Sequence, residues 1–438
     1  MKRVLALLLI LAMSFSLAAC GGKKEEGTDG KTPSETTTGK NGKKDEEVVL
    51  RWQQWWSDQS PEGLFQGICD DFYAETGIKV ELINEPYADT KTAILAGNAN
   101  GTIADLVGVT GSWVYEFVNG GVITCLSDLF ESDNYDTTNC AEVWQLGGKG
   151  YAVPVVTFSY PLFCNLDILE DCGIDPESLK TWSDLREACK VIVEKGYNAI
   201  AYNFDTASPS GLTNICFNFN WASGAKSKDE NGNMIFEGND GFRDGIEFLH
   251  TLNEDGSVYP GYTTMKEADY TSLFGSGNVA FIPATISMIT MWEEESQNLR
   301  FTAIPLPQKD GYTGTYYADY ACWGLGIAEK SPHKKEAYEF LKFILSPEIN
   351  TRLAEGKGCF PGSTKADPDF SNTSEVFQKV FEFWKTETPI SEFNCKKDAT
   401  ALQSALLEVI DQYLMNDITL DQCMTMMQET ADRISNTY

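Results

Sequence analysis

The sequence predicts an α/β fold built as two domains, and three observations carry that prediction. Strand-like alternation and helix-like spacing of apolar residues follow one another along the chain, which is the pattern of strand–helix–strand units. About 390 residues follow a leader and a polar tract, enough for two hydrophobic cores. The alternating pattern also restarts after about residue 155. Units of this kind lead to a largely parallel sheet.

The leader comes first. Lys2 and Arg3 precede an apolar run from Val4 to Ala12 that is too short to span a bilayer, and Leu17-Ala18-Ala19 is followed by Cys20, Gly21 and Gly22. That order is a secretory signal, so residues 1–19 are expected to be removed. Leu17-Ala18-Ala19-Cys20 resembles the bacterial lipobox, which implies diacylglycerol on Cys20 and cleavage before it. The plainer alternative is an ordinary secretory signal with a cysteine at the cut by coincidence. Two acyl chains anchor a protein stably where one does not, so dual acylation at Cys20 would hold the chain at the outer face of the cell membrane. Residues 20–47 are Lys, Glu, Gly, Thr, Ser, Asp and Asn with few large apolar side chains. They cannot bury enough surface to offset their ordering entropy and read as a flexible tether. No later segment is the ~18 apolar residues a membrane helix needs.

The folded part opens with a strand, Val48 to Trp52, and a polar loop containing Trp55, Trp56, Ser57 and Asp58. Leu64, Ile68 and Phe72 then recur at helix spacing, and Gly77 ends that helix. Ile78, Val80 and Leu82 alternate with charged residues as a second strand. A helix with Ile94 and Leu95, a third strand from Asp105 to Val109 and a helical stretch from Trp113 to Val118 follow.

In the second half Thr181 and Asp184 form a capping box for a helix with Leu185, Ala188, Ile192 and Val193 on one face. Ala199 to Tyr202 reads as a strand, Phe242, Ile246 and Leu249 as a helix, and Val279 to Ile282 and Phe301 to Ile304 as strands. Tyr316 to Ala328 is extended. Ala337, Phe340, Leu341 and Ile344 lie on a helix before Pro347. The stripes Leu402, Leu406, Val409, Ile410, Tyr413 and Met424, Met427, Ala431, Ile434 mark two closing helices with core faces.

The net charge of −30 argues against binding nucleic acid or anionic lipid headgroups. Of twelve Cys, eleven remain once Cys20 is set aside; none forms a C-x-x-C pair, and His250 and His333 are the only histidines. Zinc-site spacing is therefore absent, and no motif asks for a metal or a cofactor. Pairing of Cys164 with Cys172, or of Cys216 with Cys322, stays open.

Short matches in order resemble family 1 extracellular solute-binding proteins of ATP-driven importers, the maltose-binding-protein group. They are Phe72-Tyr73-Ala74-Glu75-Thr76-Gly77-Ile78-Lys79-Val80, Ala104-Asp105-Leu106-Val107, Gly120-Gly121-Val122-Ile123 with Leu126 and Leu129, Tyr151-Ala152-Val153-Pro154, and Phe163-Cys164-Asn165-Leu166-Asp167. Thr181-Trp182-Ser183-Asp184-Leu185, Gly277-Asn278-Val279-Ala280-Phe281, Ile304-Pro305-Leu306-Pro307 and Ala337-Tyr338-Glu339-Phe340-Leu341-Lys342-Phe343 complete the order. The resemblance implies a two-lobed periplasmic-binding-protein-like fold (type II) with a hinge and an interlobe ligand cleft. The lobes would be 48–156 plus 306–346 and 157–305 plus 347–438, with crossovers near Pro154, Pro305 and Pro347. It also implies a monomer that captures a carbohydrate and hands it to the transmembrane subunits of an ABC permease, with no catalysis of its own.

A sugar presents C–H faces and hydroxyl edges, so its site needs flat rings and a fork of polar side chains. In the implied fold, loops after the strands line the cleft. That selects Gln54, Trp55, Trp56 and Asp58 after the first strand, and Ser112 and Trp113 after the third. Trp55 and Trp56 stand in a polar loop, where core packing is a poor explanation; Trp113 has a rival reading as a helix-start residue packed on the sheet. The further candidates are Tyr160 and Asn165 at the first crossover, Trp221 between amides in the second lobe, and Tyr317, Asp319 and Trp323 just before the strand at Gly324. One stretch departs from the family, which often carries Trp or Tyr soon after the Gly277–Phe281 match. Here it reads Pro283-Ala284-Thr285-Ile286-Ser287. Either another aromatic such as Trp292 stacks on the ligand, or the ligand is not a long sugar.

Two rivals come from other classes. A surface glycan hydrolase would need catalytic carboxylates, which a chain with 64 Asp and Glu supplies without discrimination, and no nucleophile elbow or metal-protease motif occurs. A binder of a polyol, peptide or other polar solute would share the whole pattern and differ only in the cleft.

Overall fold

β1 (Val49–Gln54) and β2 (Lys79–Asn84) flank a helix, Leu64–Thr76, that buries Phe65, Ile68 and Phe72, with Phe65 meeting Trp52 of β1 edge-on at 5.6 Å. Gly77 stops the helix at φ +73°, a left-handed conformation that favours glycine, and its N–H donates to the Tyr73 carbonyl. The structure, a computed structural model, describes residues 48–434 apart from 230, 231, 297 and 320, and only the backbone at 58 and 59. The expected leader, Cys20 and the tether lie outside the described residues.

A helix, Tyr87–Asn100, leads to β3 (Leu106–Val109). The chain then supplies β4 (Trp144–Leu146), β5 (Lys149–Phe158), β6 (Leu162–Asn165), β7 (Phe281–Pro283) and β8 (Phe301–Ile304). The last strands are β9 (Tyr317–Asp319), β10 (Ala321–Ile327), β11 (Phe360–Pro361) and β12 (Thr388–Ile390). Seven strands form one sheet in the order β11-β5-β10-β3-β1-β2, with β4 on β5. The expectation of a largely parallel sheet is corrected here. β1 is parallel to β2 and β3, but β10 runs antiparallel to both β3 and β5. Strand–helix alternation fixes direction only among local units, and β10 inserts from far along the chain.

β6 sits between β7 and β8 in an antiparallel three-stranded sheet, and β9 pairs in parallel with β12. The strand expected from Ala199 to Tyr202 reduces to bridges at Ile200, which pairs with Val258 and Phe281 inside the core. The helix Trp182–Glu194 carries the capping box of Thr181 and Asp184. The closing helices are Ala399–Leu414 and Leu420–Ile434; their stripes are buried from Leu402 to Ala431, with Ile434 partly buried against the core. Cys164, Cys172 and Cys216 are free thiols, so neither of the pairings left open forms.

Two features position a site. Because β1 and β3 run together while β10 and β5 alternate against them, the ends of β1 and β3, the start of β10 and the end of β5 share one edge of the sheet. Pro154, near which a crossover was expected, lies inside β5, where the register with β10 shifts between Trp323 and Gly324. A bulge there tolerates a residue without an N–H, so the strand continues. The chain passes to the small sheet just after Phe158, at that same edge.

Candidate functional site

Six aromatic rings converge on this edge. Trp55 lies 5.3 Å from Tyr87, 5.5 Å from Trp113 and 6.5 Å from Trp323, centroid to centroid. Tyr87 and Trp113 stack at 5.6 Å and 16°, and Trp56 stacks on Trp323 at 5.4 Å and 6°. Phe158 meets Trp323 edge-on at 4.8 Å. Residues separated by more than 260 positions thus share one aromatic wall, because the strand order brings β10 next to β3.

The individual candidates divide. Trp55 and Trp56 were expected outside the core, yet they are 3% and 0% exposed. A short 3-10 turn, Trp56–Gln59, folds the polar loop back, and Trp56 packs against Trp52, Phe65 and Trp323. Gln54 builds that turn: its Oε1 accepts from the Trp56 and Ser57 N–H groups and its Nε2 donates to Ser57 Oγ at 2.7 Å. With both amide ends engaged, Gln54 holds the loop and has little left for a ligand. The Asp58 side chain lies outside the described atoms. Ser112 is half-buried, its Oγ 3.0 Å from Thr110 Oγ1, and Trp113 is buried at the foot of the wall.

On the other side Asn165 is a helix cap. Its Oδ1 accepts from the N–H groups of Asp167 and Ile168, and its Nδ2 donates to the Gly277 carbonyl. Trp221 is fully buried and donates from Nε1 to Glu392 Oε2 at 2.6 Å, which makes it a strut and not a binding wall. Tyr317 is half-buried with Lys226 Nζ 4.1 Å above its ring. Asp319 is buried; its backbone N–H donates to Asn218 Oδ1 at 3.0 Å, and Asn218 Nδ2 donates to the Tyr160 carbonyl at 3.1 Å. Burial pushes the Tyr160 phenol well above its usual range, with Glu267, Asp319, Tyr270 and Tyr87 nearby adding to the effect.

Sequence reasoning missed Tyr87 and Glu267. Glu267 opens the helix Glu267–Gly275, and its charge is felt by Tyr87, Tyr160 and Tyr270 together. It is half-buried, and burial raises its carboxyl. Tyr87 comes from a helix beside the large sheet and Glu267 from one beside the small sheet, so no sequence spacing links them. Planar rings beside carboxyl, phenol and hydroxyl groups can stack on the faces of a polar ring and take hydrogen bonds from its edge.

A loop from far along the chain is fastened to the loop after β3. Glu392, buried, accepts from Trp221 Nε1 and from Ser227 N and Oγ at 3.0 and 2.6 Å, anchoring the loop around it. That loop reaches Gly111: Cys395 N–H donates to the Gly111 carbonyl at 2.9 Å, and a Cβ at Gly111 would lie 1.9 Å from Asn394 Oδ1. Trp292, the alternative stacking ring, is packed among Phe163, Phe274 and Phe301 and donates to the Thr271 carbonyl at 3.2 Å, so it belongs to the core. No helix of the described residues is long and apolar enough to cross a membrane.

Comparisons with known proteins agree with this architecture. The family described as "Bacterial extracellular solute-binding protein" matches residues 67–379. The arabinooligosaccharide-binding protein of Bacillus subtilis is 22% identical, over 81% of this chain and 79% of its own. The lactose-binding protein of Rhizobium radiobacter is 23% identical, over 70% and 72%. Among solved structures, an ABC substrate-binding protein of Listeria monocytogenes in complex with cycloalternan superposes with a TM-score of 0.73 at 14% identity, covering 88% of this chain and 98% of that one. At that identity the likeness is one of fold.

Proposed function

The chain belongs to the bacterial extracellular solute-binding protein family, and from that premise we propose that it captures a carbohydrate outside the cytoplasm and delivers it to an ABC permease. The aromatic wall at the sheet edge carries this reading. Its flat rings suit the C–H faces of a sugar, and Tyr160, Glu267, Asp319 and Ser112 are its candidate hydrogen-bonding groups. Relatives named for arabinooligosaccharide and lactose binding support the same substrate class.

In the proposed cycle the large and small sheets are the centres of two lobes that open and close about the segments joining them. The pairing of β11 with β5 supports a first lobe that also takes in 347–361, which the sequence reading puts in the second. An open form admits the solute, closure buries it, and contacts made only in the closed form favour that state. The Gly111–Cys395 hydrogen bond is one such contact. The closed protein then docks on the permease, whose separate ATPase supplies the energy. Diacylation at Cys20 would keep the protein at the membrane, and the binding site has no turnover of its own.

A thermal-shift and calorimetric screen against mono- and oligosaccharides, polyols, amino acids and peptides tests the proposal, since a ligand of the folded state raises its melting temperature. Saturable binding of a saccharide is expected, with no hydrolysis product on prolonged incubation. Binding of a polyol or peptide alone, or turnover of a glycan, would overturn it.

A further inference from the structure

We propose that the solute is an acidic saccharide whose carboxylate, sulfate or phosphate is met by the ammonium of Lys357. This rests on the carbohydrate reading above and narrows it.

Lys357 ends the helix Pro347–Lys357 and is 1% exposed. Its Nζ donates to the Ser287 carbonyl at 3.4 Å, a long contact, and lies 5.6 Å from the centroid of Trp323. An ammonium has three donors, and a buried one without a counter-charge is costly to keep. Among the described residues no carboxylate pairs with it. The titratable neighbour it feels is Cys359, whose thiol is itself pushed up to about 12 by burial and so stays neutral.

Thr285 and Ser287 are both buried beside the carbonyl that Lys357 touches, and Thr285 Oγ1 donates to Ser287 Oγ at 3.2 Å. Ile286 between them stands near the place where the resemblance calls for a stacking aromatic, and Trp292 is committed to the core. Trp323, which Lys357 overlies, also belongs to the aromatic wall, so the cation and the rings belong to one site. Burial lowers the amine to about 8, and an arriving anion would hold it charged. A hydrogen bond between two opposite charges is stronger than the bond the ammonium makes to a neutral hydroxyl, which is all a neutral oligosaccharide offers here.

Isothermal titration of the protein with matched sugars tests the assignment: a galacturonate trisaccharide against its neutral galactose counterpart, and galactose 6-sulfate and galactose 6-phosphate against galactose. At least one acidic member should bind about tenfold or more tighter than its neutral partner, the worth of one charge-assisted hydrogen bond. Lys357→Met should bring the ratio of acidic to neutral affinity down to about one. Should that variant not fold, Ser287→Ala should narrow the ratio of acidic to neutral affinity several-fold. Neutral sugars binding as tightly as acidic ones in the unaltered protein would overturn this inference and leave the carbohydrate reading standing. An acidic preference that survives Lys357→Met would remove Lys357 from the site. Absence of binding by every sugar would overturn both.

Discussion

Gly111→Ala isolates the closing contact from the ligand contacts. Gly111 is not held at positive φ, so alanine brings no backbone strain of its own. The added Cβ would nevertheless fall 1.9 Å from Asn394 Oδ1 and 2.2 Å from its Cγ, far inside contact distance. Asn394 must swing away or the two loops must part, and parting breaks the Cys395–Gly111 hydrogen bond of 2.9 Å. One such bond is worth about 1 kcal/mol net, and displacing Asn394 adds a similar amount. A closed state disfavoured by about 1–2 kcal/mol weakens ligand affinity roughly 5- to 30-fold. Titration calorimetry reads the affinity, and thermal melting of the ligand-free protein should stay nearly unchanged. Adding Asn394→Ala to the Gly111→Ala variant removes the clash and should recover most of the lost affinity. Unchanged affinity in Gly111→Ala, or a loss that Asn394→Ala does not relieve, would refute the idea that this contact stabilises closure.

Two further outcomes follow from burial. Trp56→Ala is expected to act on stability first, costing about 3–5 kcal/mol in a urea titration, since the ring fills a space between Trp52, Phe65 and Trp323. Glu387, to which Ser159 Oγ donates at 3.3 Å, has its carboxyl raised by burial from 4.5 to about 7. The folded state then binds more protons than the unfolded one between those values. Its contribution is full below pH 4.5 and is lost as pH rises to about 7, about 3 kcal/mol in all. Glu387→Gln should flatten that part of a melting-temperature profile against pH; an unchanged slope would show that the carboxyl titrates normally.

The local elements were legible because each rests on neighbours in sequence. Gly77 and the Thr181–Asp184 box act within one turn of a helix, and the stripe from Leu402 to Ala431 needs only helix spacing to define its buried face. The ordered matches identified the family for the same reason, as short segments that keep their meaning alone. Trp323 was reachable as a candidate through its place before a strand. That it would lie against Trp56 was not, since the contact depends on β10 entering the sheet between β3 and β5.

By itself the sequence determined most of the strands and helices and the family, which depend on periodicity, caps and short motifs. The tertiary structure decided the sheet's mixed direction and which polar and aromatic residues are spent on the scaffold. Gln54, Asn165 and Trp221 look like ligand contacts in a line of letters, yet their hydrogen bonds are satisfied by a turn, a helix end and a buried glutamate. The grouping of Tyr87 with Glu267, and the isolation of Lys357 from any acid among the described residues, arise from packing between distant segments. Burial and long-range pairing set a side chain's remaining hydrogen-bonding capacity, and neither is encoded in local spacing.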